Sequence, residues 1–211
     1  MRRRDLIIAA AAAIGLCAAG PGLAHEVGHA GHGGRDERQP DRSARVHLAD
    51  VPVIDAAGAE RQFAGDVVAG RIAVIDAIFT NCTTVCPVTS ALLAELRAQV
   101  DAAGIEVDYV SVSLDPVRDT PERLTSYAAT YGAHPSWTLV TGERQDIAAV
   151  LRGLGSYSAD PAAHLPSMLV GDPVRQDWRR FYGLPDPERL AAAIKELAQL
   201  RAPKREVSHV H

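Results

Sequence analysis

The hydrophobic positions of the chain form segments with two different periods. Ile72 to Phe79 is an apolar run that predicts a buried strand. Ile105 to Leu114 has apolar residues at alternate positions and predicts a second strand beside it. Between them, Ala91 to Val100 carries leucines at helical spacing, and Gly104 ends that helix. The pattern therefore alternates strand and helix.

The same alternation continues on both sides. The other predicted elements are two short strands within Val46–Phe63, a helix from Pro121 to about Tyr131, a strand at Trp137–Val140, a helix within Thr141–Gly153, a hairpin of Met168–Val170 with Val174–Tyr182, and a helix at Glu188–Leu200. Strands that alternate with helices indicate a parallel core. A final antiparallel hairpin and helix are typical of thioredoxin. We predict an α/β, thioredoxin-like fold: a central mixed sheet flanked by helices, with an N-terminal β-hairpin extension.

The first 24 residues differ from the rest. Three arginines precede the short apolar stretch Leu6 to Ala19, and Gly22-Leu23-Ala24 is typical of a cleavage site. We expect residues 1–24 to be a signal peptide, with Cys17 inside it, and the mature protein to be periplasmic and to begin at His25. A retained membrane anchor is the alternative.

Polar segments flank the predicted domain, which covers 46–201. Residues 25–45 predict a flexible His-rich tail and 202–211 a C-terminal tail. Their histidines either bind metal weakly or are simply solvated; they are His25, His29, His32, His209 and His211.

The signal segment carries three Arg and one Asp, so its removal takes the net charge from −4 to −6. A mildly acidic domain has no electrostatic footprint for nucleic acid.

The candidate chemistry lies in Phe79-Thr80-Asn81-Cys82-Thr83-Thr84-Val85-Cys86-Pro87, between the first central strand and its helix. Cys86 is expected at the helix N-terminus, where the macrodipole favours a thiolate. A thiolate is both the nucleophile of disulfide exchange and a ligand for a soft metal. The pair can therefore do redox chemistry, hold copper(I), or do both. A structural disulfide is the plainer alternative, and in an oxidising compartment the cysteines should pair unless a reductant is supplied.

A third ligand has to come from elsewhere in the chain. In a thioredoxin-like fold, the loop before the late antiparallel strand lies beside the dithiol, and here that loop contains His164. Two thiolates and one imidazole suit copper(I). Zinc would require a fourth ligand, for which His47 and His134 are candidates, although we expect the first to be structural and the second to be at the surface. His164 could instead only form hydrogen bonds.

Two further residues near this loop need a structure to decide their role. Asp115 follows the second central strand and should lie near the same sheet end as Cys82, where it either tunes the dithiol or only closes its own turn. Leu165–Pro166 could be a cis peptide bond, since thioredoxin-like folds often hold a cis proline at this point.

These motifs resemble the Sco/SenC family. The pattern is F-T-N-C-T-T-V-C-P, then S-V-S-L-D-P-V-R-D-T-P, then W-T-L-V-T-G, then His164 ahead of M-L-V-G-D, and it spans about residues 46–200. The resemblance implies a thioredoxin-fold copper protein with Cys82, Cys86 and His164 as copper ligands. It also implies delivery of copper to the binuclear CuA centre of cytochrome c oxidase, or reduction of the cysteines of that centre.

Two functions therefore stay open. The chain is either a copper chaperone or a thiol–disulfide oxidoreductase that uses Cys82 and Cys86 as a redox-active pair. The expected partners are an oxidase subunit carrying CuA or another copper-requiring exported protein, a copper donor and a thiol reductant. We expect a monomer, because a docking chaperone must expose its dithiol face.

Overall fold

The structure is a computed structural model that describes residues 42–202. Its strands are β1 (Arg42–Ser43), β2 (Pro52–Asp55), β3 (Glu60–Gln62), β4 (Ile72–Ile78), β5 (Val107–Ser113), β6 (Trp137–Thr141), β7 (Ser167–Asp172) and β8 (Asp177–Tyr182). Its α-helices are α1 (Val85–Ala102), α2 (Pro121–Thr130), α3 (Arg144–Gly153) and α4 (Pro187–Arg201). The predicted signal peptide with Cys17, and the five tail histidines, lie outside the described residues.

The described strands form one mixed sheet in the order β1-β8-β7-β4-β5-β6-β2-β3. Strand β4 is central: it pairs parallel with β5 and antiparallel with β7. Strands β5 and β6 are also parallel, and β2–β3 is an antiparallel hairpin attached to β6. The predicted thioredoxin-like fold with its N-terminal hairpin is confirmed.

Helices cover both faces of the sheet. Helices α1, α2 and α4 share one core with the side chains of β4 that point to their face, among them Ile72, Val74 and Ile78. Helix α3 packs on the opposite face, against Ala73 and Ile75 of the same strand. A strand buried on both faces is apolar at successive positions rather than at alternate ones. This explains why β4 reads as a continuous apolar run.

Some boundaries differ from the predicted ones. Strand β1 lies inside the segment predicted as a tail, and it pairs with β8 through Arg42↔Arg180 and Ser43↔Arg179. Strand β8 begins three residues later than predicted, because the Asp172 side chain accepts hydrogen bonds from the amides that follow it and closes a turn. The sheet therefore includes residues before 46.

Two other features concern expectations drawn from the sequence. Every peptide bond of the described residues is trans, so the cis form of Leu165–Pro166 is not present. Within residues 42–202, no helix combines the length and the apolarity that crossing a bilayer requires.

Candidate metal centre

The two cysteines lie where the central strand passes into α1. After β4, the Cys82 amide donates to the Phe79 carbonyl at 3.1 Å and turns the chain. The Cys82 sulfur then accepts the Cys86 amide at 3.4 Å, and the Thr84 hydroxyl lies 3.7 Å from it. Helix α1 therefore starts at Val85, ahead of the segment Ala91–Val100 in which the leucine spacing predicts the helix. A sulfur atom supplies the acceptor that the first turn of a helix needs.

The two thiols differ in acidity. Burial by itself raises the pKa of Cys82, but hydrogen bonds from Cys86 and Thr84 more than offset it and lower that pKa to about 7. Burial and, after it, the contact with the Cys82 sulfur raise the pKa of Cys86 to about 12. The prediction that Cys86 is the thiolate is therefore wrong. Burial outweighs the helix N-terminus at Cys86, and the N–H groups of that terminus stabilise charge on Cys82 instead.

Both sulfurs are free thiols rather than a disulfide in this structure. Cys82 is 8% exposed and Cys86 is 4% exposed. The dithiol form is the one that can ligate a metal, because the metal replaces the thiol protons.

His164 lies in the predicted loop, directly after the short 3-10 turn Pro161–Ala163 and before β7. Its Nε2 atom is buried and has no hydrogen-bond partner. Burial lowers the pKa of His164, the Arg180 guanidinium lowers it further, and the Ser156 carbonyl raises it slightly. The ring is therefore neutral at pH 7. One nitrogen faces a backbone carbonyl and the other keeps a free lone pair, as in histidines that bind metals.

One cavity of about 250 Å³ joins these groups. It is lined by Cys82, Cys86 and His164, together with Asp76 and the hydroxyl-bearing loop residues Thr83 and Thr84. Within residues 42–202, no three His, Cys, Asp or Glu side chains are gathered tightly enough to ligate one ion as they stand. The sequence-predicted residues thus share a cavity without yet forming a closed set of ligands.

Asp76 is a site residue that the sequence analysis missed. It lies in β4 and is 6% exposed. Its Oδ1 accepts the Ser111 hydroxyl at 2.5 Å, and Ser111 in turn accepts the Trp137 indole N–H at 2.9 Å. Its Oδ2 is buried without a partner, and burial raises the pKa of Asp76 to about 6. A single carboxylate inside an apolar strand was the signal that could have found it.

Asp119 is the second missed residue. It is 1% exposed, and its carboxylate accepts the Thr80 amide at 3.0 Å, the Thr80 hydroxyl at 2.6 Å and the Ser113 hydroxyl at 2.6 Å. Asp119 therefore fixes the loop that carries Cys82. Asp115, which we had considered for tuning the dithiol, pairs through its carboxylate with Arg118 at 2.8 Å. The turn is closed by the Asp115 backbone carbonyl, which accepts the Arg118 and Asp119 amides, and not by the side chain as the simpler interpretation predicted.

The candidate fourth ligands for zinc lie elsewhere. His47 is an exposed loop residue, not the start of a strand, and its amide donates to the Gly153 carbonyl at 2.9 Å. His134 lies at the surface as predicted, beside Ser136 and 3.6 Å from Asp101. Neither histidine lines the dithiol cavity, so neither completes a zinc site there.

Known proteins share this sequence and fold. The family model described as SCO1/SenC matches residues 53–199. The SCO1 protein homolog of Bacillus subtilis (strain 168) is 38% identical over 77 residues, which are 36% of this chain and 40% of the relative. The alignments cover less than half of the length of the first curated relatives that the chain matches.

Solved structures extend the likeness to the fold. The structure of BsSco, described as a member of the Sco family of cytochrome c oxidase assembly proteins, superposes with a TM-score of 0.66 at 22% identity. It covers 78% of this chain and 100% of that one. Arabidopsis thaliana ScoI with copper bound gives a TM-score of 0.62 at 22% identity and covers 74% and 99%. At these identities the likeness shows a shared fold.

Proposed function

Since the chain belongs to the SCO1/SenC family, we propose that it is an exported copper-binding protein. Copper is held by the sulfurs of Cys82 and Cys86 and by Nε2 of His164, and it is then delivered to a client protein. The client is the subunit of cytochrome c oxidase that carries CuA, or another exported protein that requires copper.

The buried, unpartnered Nε2 of His164 is the observation that carries this proposal. A buried nitrogen without a hydrogen-bond partner costs free energy on the order of 1–3 kcal/mol. Such an atom is retained where it has a partner in another state of the protein. Here it shares a cavity with two thiols, and a soft metal ion is the partner that can bridge a nitrogen and two sulfurs.

The acidity of the thiols sets how the ion is taken up. Copper(I) meets Cys82 about half as a thiolate and half as a thiol at pH 7, because the pKa of Cys82 is about 7. Cys86 has a pKa of about 12 and gives up its proton only as the metal replaces it. Binding at neutral pH should therefore release more than one proton from the dithiol, and at most one from Cys82.

Export forms part of the same proposal. Residues 1–24 would be removed as a signal peptide, and the mature protein would act in the periplasm with a copper donor and a thiol reductant as partners. The mature N-terminus, read by mass spectrometry, would be His25. An intact Met1 would instead mean that the segment is retained.

Thiol–disulfide exchange is the second candidate function, because the two thiols differ in pKa. A Cys82 thiolate at neutral pH is a nucleophile, and the neighbouring Cys86 thiol can complete the exchange. In that reaction, two electrons pass from the dithiol to a client disulfide, and Cys82 and Cys86 become a disulfide. His164 has no part in this chemistry.

A transfer assay separates the two functions. The reduced protein is mixed in two separate assays with a soluble, metal-free CuA domain. In the first assay the protein carries one copper(I) and the cysteines of the domain are reduced; in the second the protein is itself metal-free and the cysteines of the domain are oxidised. A chaperone delivers copper to the reduced domain, and His164→Ala abolishes delivery. An oxidoreductase reduces the oxidised domain equally well with or without His164. If only the second result is obtained, copper delivery is excluded as the function.

A further inference from the structure

Arg180 lies beside the candidate centre and is not explained by the ligand set. It is on β8, 7% exposed, and its guanidinium makes three hydrogen bonds. Nη1 donates to the Ser156 hydroxyl at 3.3 Å and to the Ser167 hydroxyl at 3.0 Å, and Nη2 donates to the Leu154 carbonyl. Within residues 42–202, no carboxylate lies within ion-pair distance of this cation.

The three acceptors lie at the two ends of one segment of the chain. Leu154 and Ser156 directly follow α3, and Ser167 is the first residue of β7. They therefore mark the two ends of residues 154–167, which we call the His164 segment. One guanidinium bonds both ends of this segment, and the imidazole projects from between them.

The backbone at residue 155 leaves room for the Arg180 guanidinium. Gly155 has φ +66°, and a Cβ added there would lie 3.0 Å from Nη2 of Arg180. A side chain at 155 would thus be strained by the backbone conformation and crowded by the guanidinium. Glycine allows the chain after α3 to close around the arginine.

The cost of burying this cation indicates a specific role. A buried charge is expensive unless hydrogen bonds compensate for it. Here neutral oxygens provide those hydrogen bonds, and the guanidinium carbon also lies 5.9 Å from the centre of the Tyr182 ring. An apolar side chain would fill the same place at lower cost. An arginine adds a planar fork that reaches acceptors on two separate segments, which a lysine cannot do with one compact ammonium.

We propose that Arg180 is the positioning residue of His164: its guanidinium clamps both ends of the His164 segment and so sets where the imidazole stands relative to the dithiol. This inference rests on the proposed function, because it takes His164 as a copper ligand. Residues that hold a metal-binding histidine in place typically change metal affinity about 10–100-fold when they are replaced.

Arg179 provides a matched control. It is the neighbouring arginine on the same strand, on the opposite face of the sheet, and it pairs with Glu196 at 2.7 Å. Arg180→Met and Arg179→Met therefore remove the same group from the same strand; Arg180 donates to the His164 segment, whereas Arg179 donates to Glu196 of α4.

The first readout is amide hydrogen exchange of the reduced, metal-free full-length protein. Arg180→Met should speed exchange across residues 155–166, and Arg179→Met should leave that segment unchanged. Arg180→Lys should resemble Arg180→Met, because the ammonium cannot bridge both ends. Full protection in Arg180→Lys would overturn the clamp. The double variant Ser156→Ala, Ser167→Ala tests the same clamp while keeping the cation and its Leu154 bond, and it should also speed exchange.

The second readout is copper(I) affinity in a double-mutant cycle with His164→Ala. Arg180→Met should weaken copper(I) binding about 10-fold or more in the wild-type background and should change nothing further once His164 is replaced. Equal losses in both backgrounds, or an equal loss in Arg179→Met, would refute a role through His164. If His164→Ala alone binds copper(I) as the wild type does, the proposed ligand set fails, and hydrogen exchange still decides the clamp.

Discussion

Replacing Asp76 by Asn tests the electrostatics of the dithiol cavity through folding stability. Asp76 is buried in β4, its Oδ2 has no partner, and its pKa is raised to about 6 from 3.8. The native protein therefore holds this proton more tightly than the unfolded chain does. The free energy of unfolding falls as pH rises between these two values, and it is level above them. A shift of two pKa units corresponds to about 3 kcal/mol.

Asparagine is neutral throughout this range, so Asp76→Asn removes the pH-dependent loss. Its side-chain oxygen can still accept the Ser111 hydroxyl, while its amide N–H groups occupy the unpartnered side. An unsatisfied donor there costs about 1–3 kcal/mol, but that cost does not depend on pH. The stability of Asp76→Asn relative to wild type should therefore rise by about 2 kcal/mol from pH 4 to pH 6.5.

The assay is urea unfolding of the reduced, metal-free protein, followed by circular dichroism at several pH values in that range. Asp50→Asn, at an exposed loop position, controls for the loss of one negative charge. A difference between Asp76→Asn and wild type that stays constant with pH would refute the assignment of a raised pKa to Asp76.

Three further predictions concern the residues around the dithiol. Alkylation of wild-type protein by iodoacetamide should reach half of its maximal rate near pH 7 at Cys82, and peptide mapping should show Cys86 to be slow. Cys86→Ala should move the midpoint of Cys82 upward, because the Cys86 thiol no longer donates to the Cys82 thiolate, although the backbone amide of residue 86 still does; an unchanged midpoint would contradict the hydrogen bond from the thiol. Asp119→Ala should lower the free energy of unfolding by about 3 kcal/mol in urea titrations, because it removes three hydrogen bonds to a buried carboxylate, whereas Asp115→Ala should cost much less.

The order of the elements could be read from the sequence because each long element has a clear hydrophobic period. Strand β1 could not be predicted in this way, because Arg42 and Ser43 carry no apolar pattern. They form a strand because they pair with β8. The start of α1 was misplaced for a related reason. Its first turn is completed by the Cys82 sulfur, which is a contact that a periodicity does not show.

The candidate site was also predicted only in part. Motif and fold order brought Cys82, Cys86 and His164 to one cavity, because both loops lie at the same end of the sheet. The thiolate was assigned to the wrong cysteine because the sequence shows the helix N-terminus and not the burial that opposes it. The contacts of Asp119 and Arg180 join segments that are distant in the chain, so only the structure reveals them.

Competition titration with a chromophoric copper(I) chelator tests the central claim most directly. The reduced protein is titrated without oxygen beside three variants: His164→Ala, the surface control His134→Ala, and a variant with His25, His29 and His32 replaced by Asn. We expect one tight equivalent in the wild type and in both histidine controls, with affinity lost in His164→Ala. Equal affinity in wild type and His164→Ala would contradict a copper site built from Cys82, Cys86 and His164, and would favour dithiol exchange.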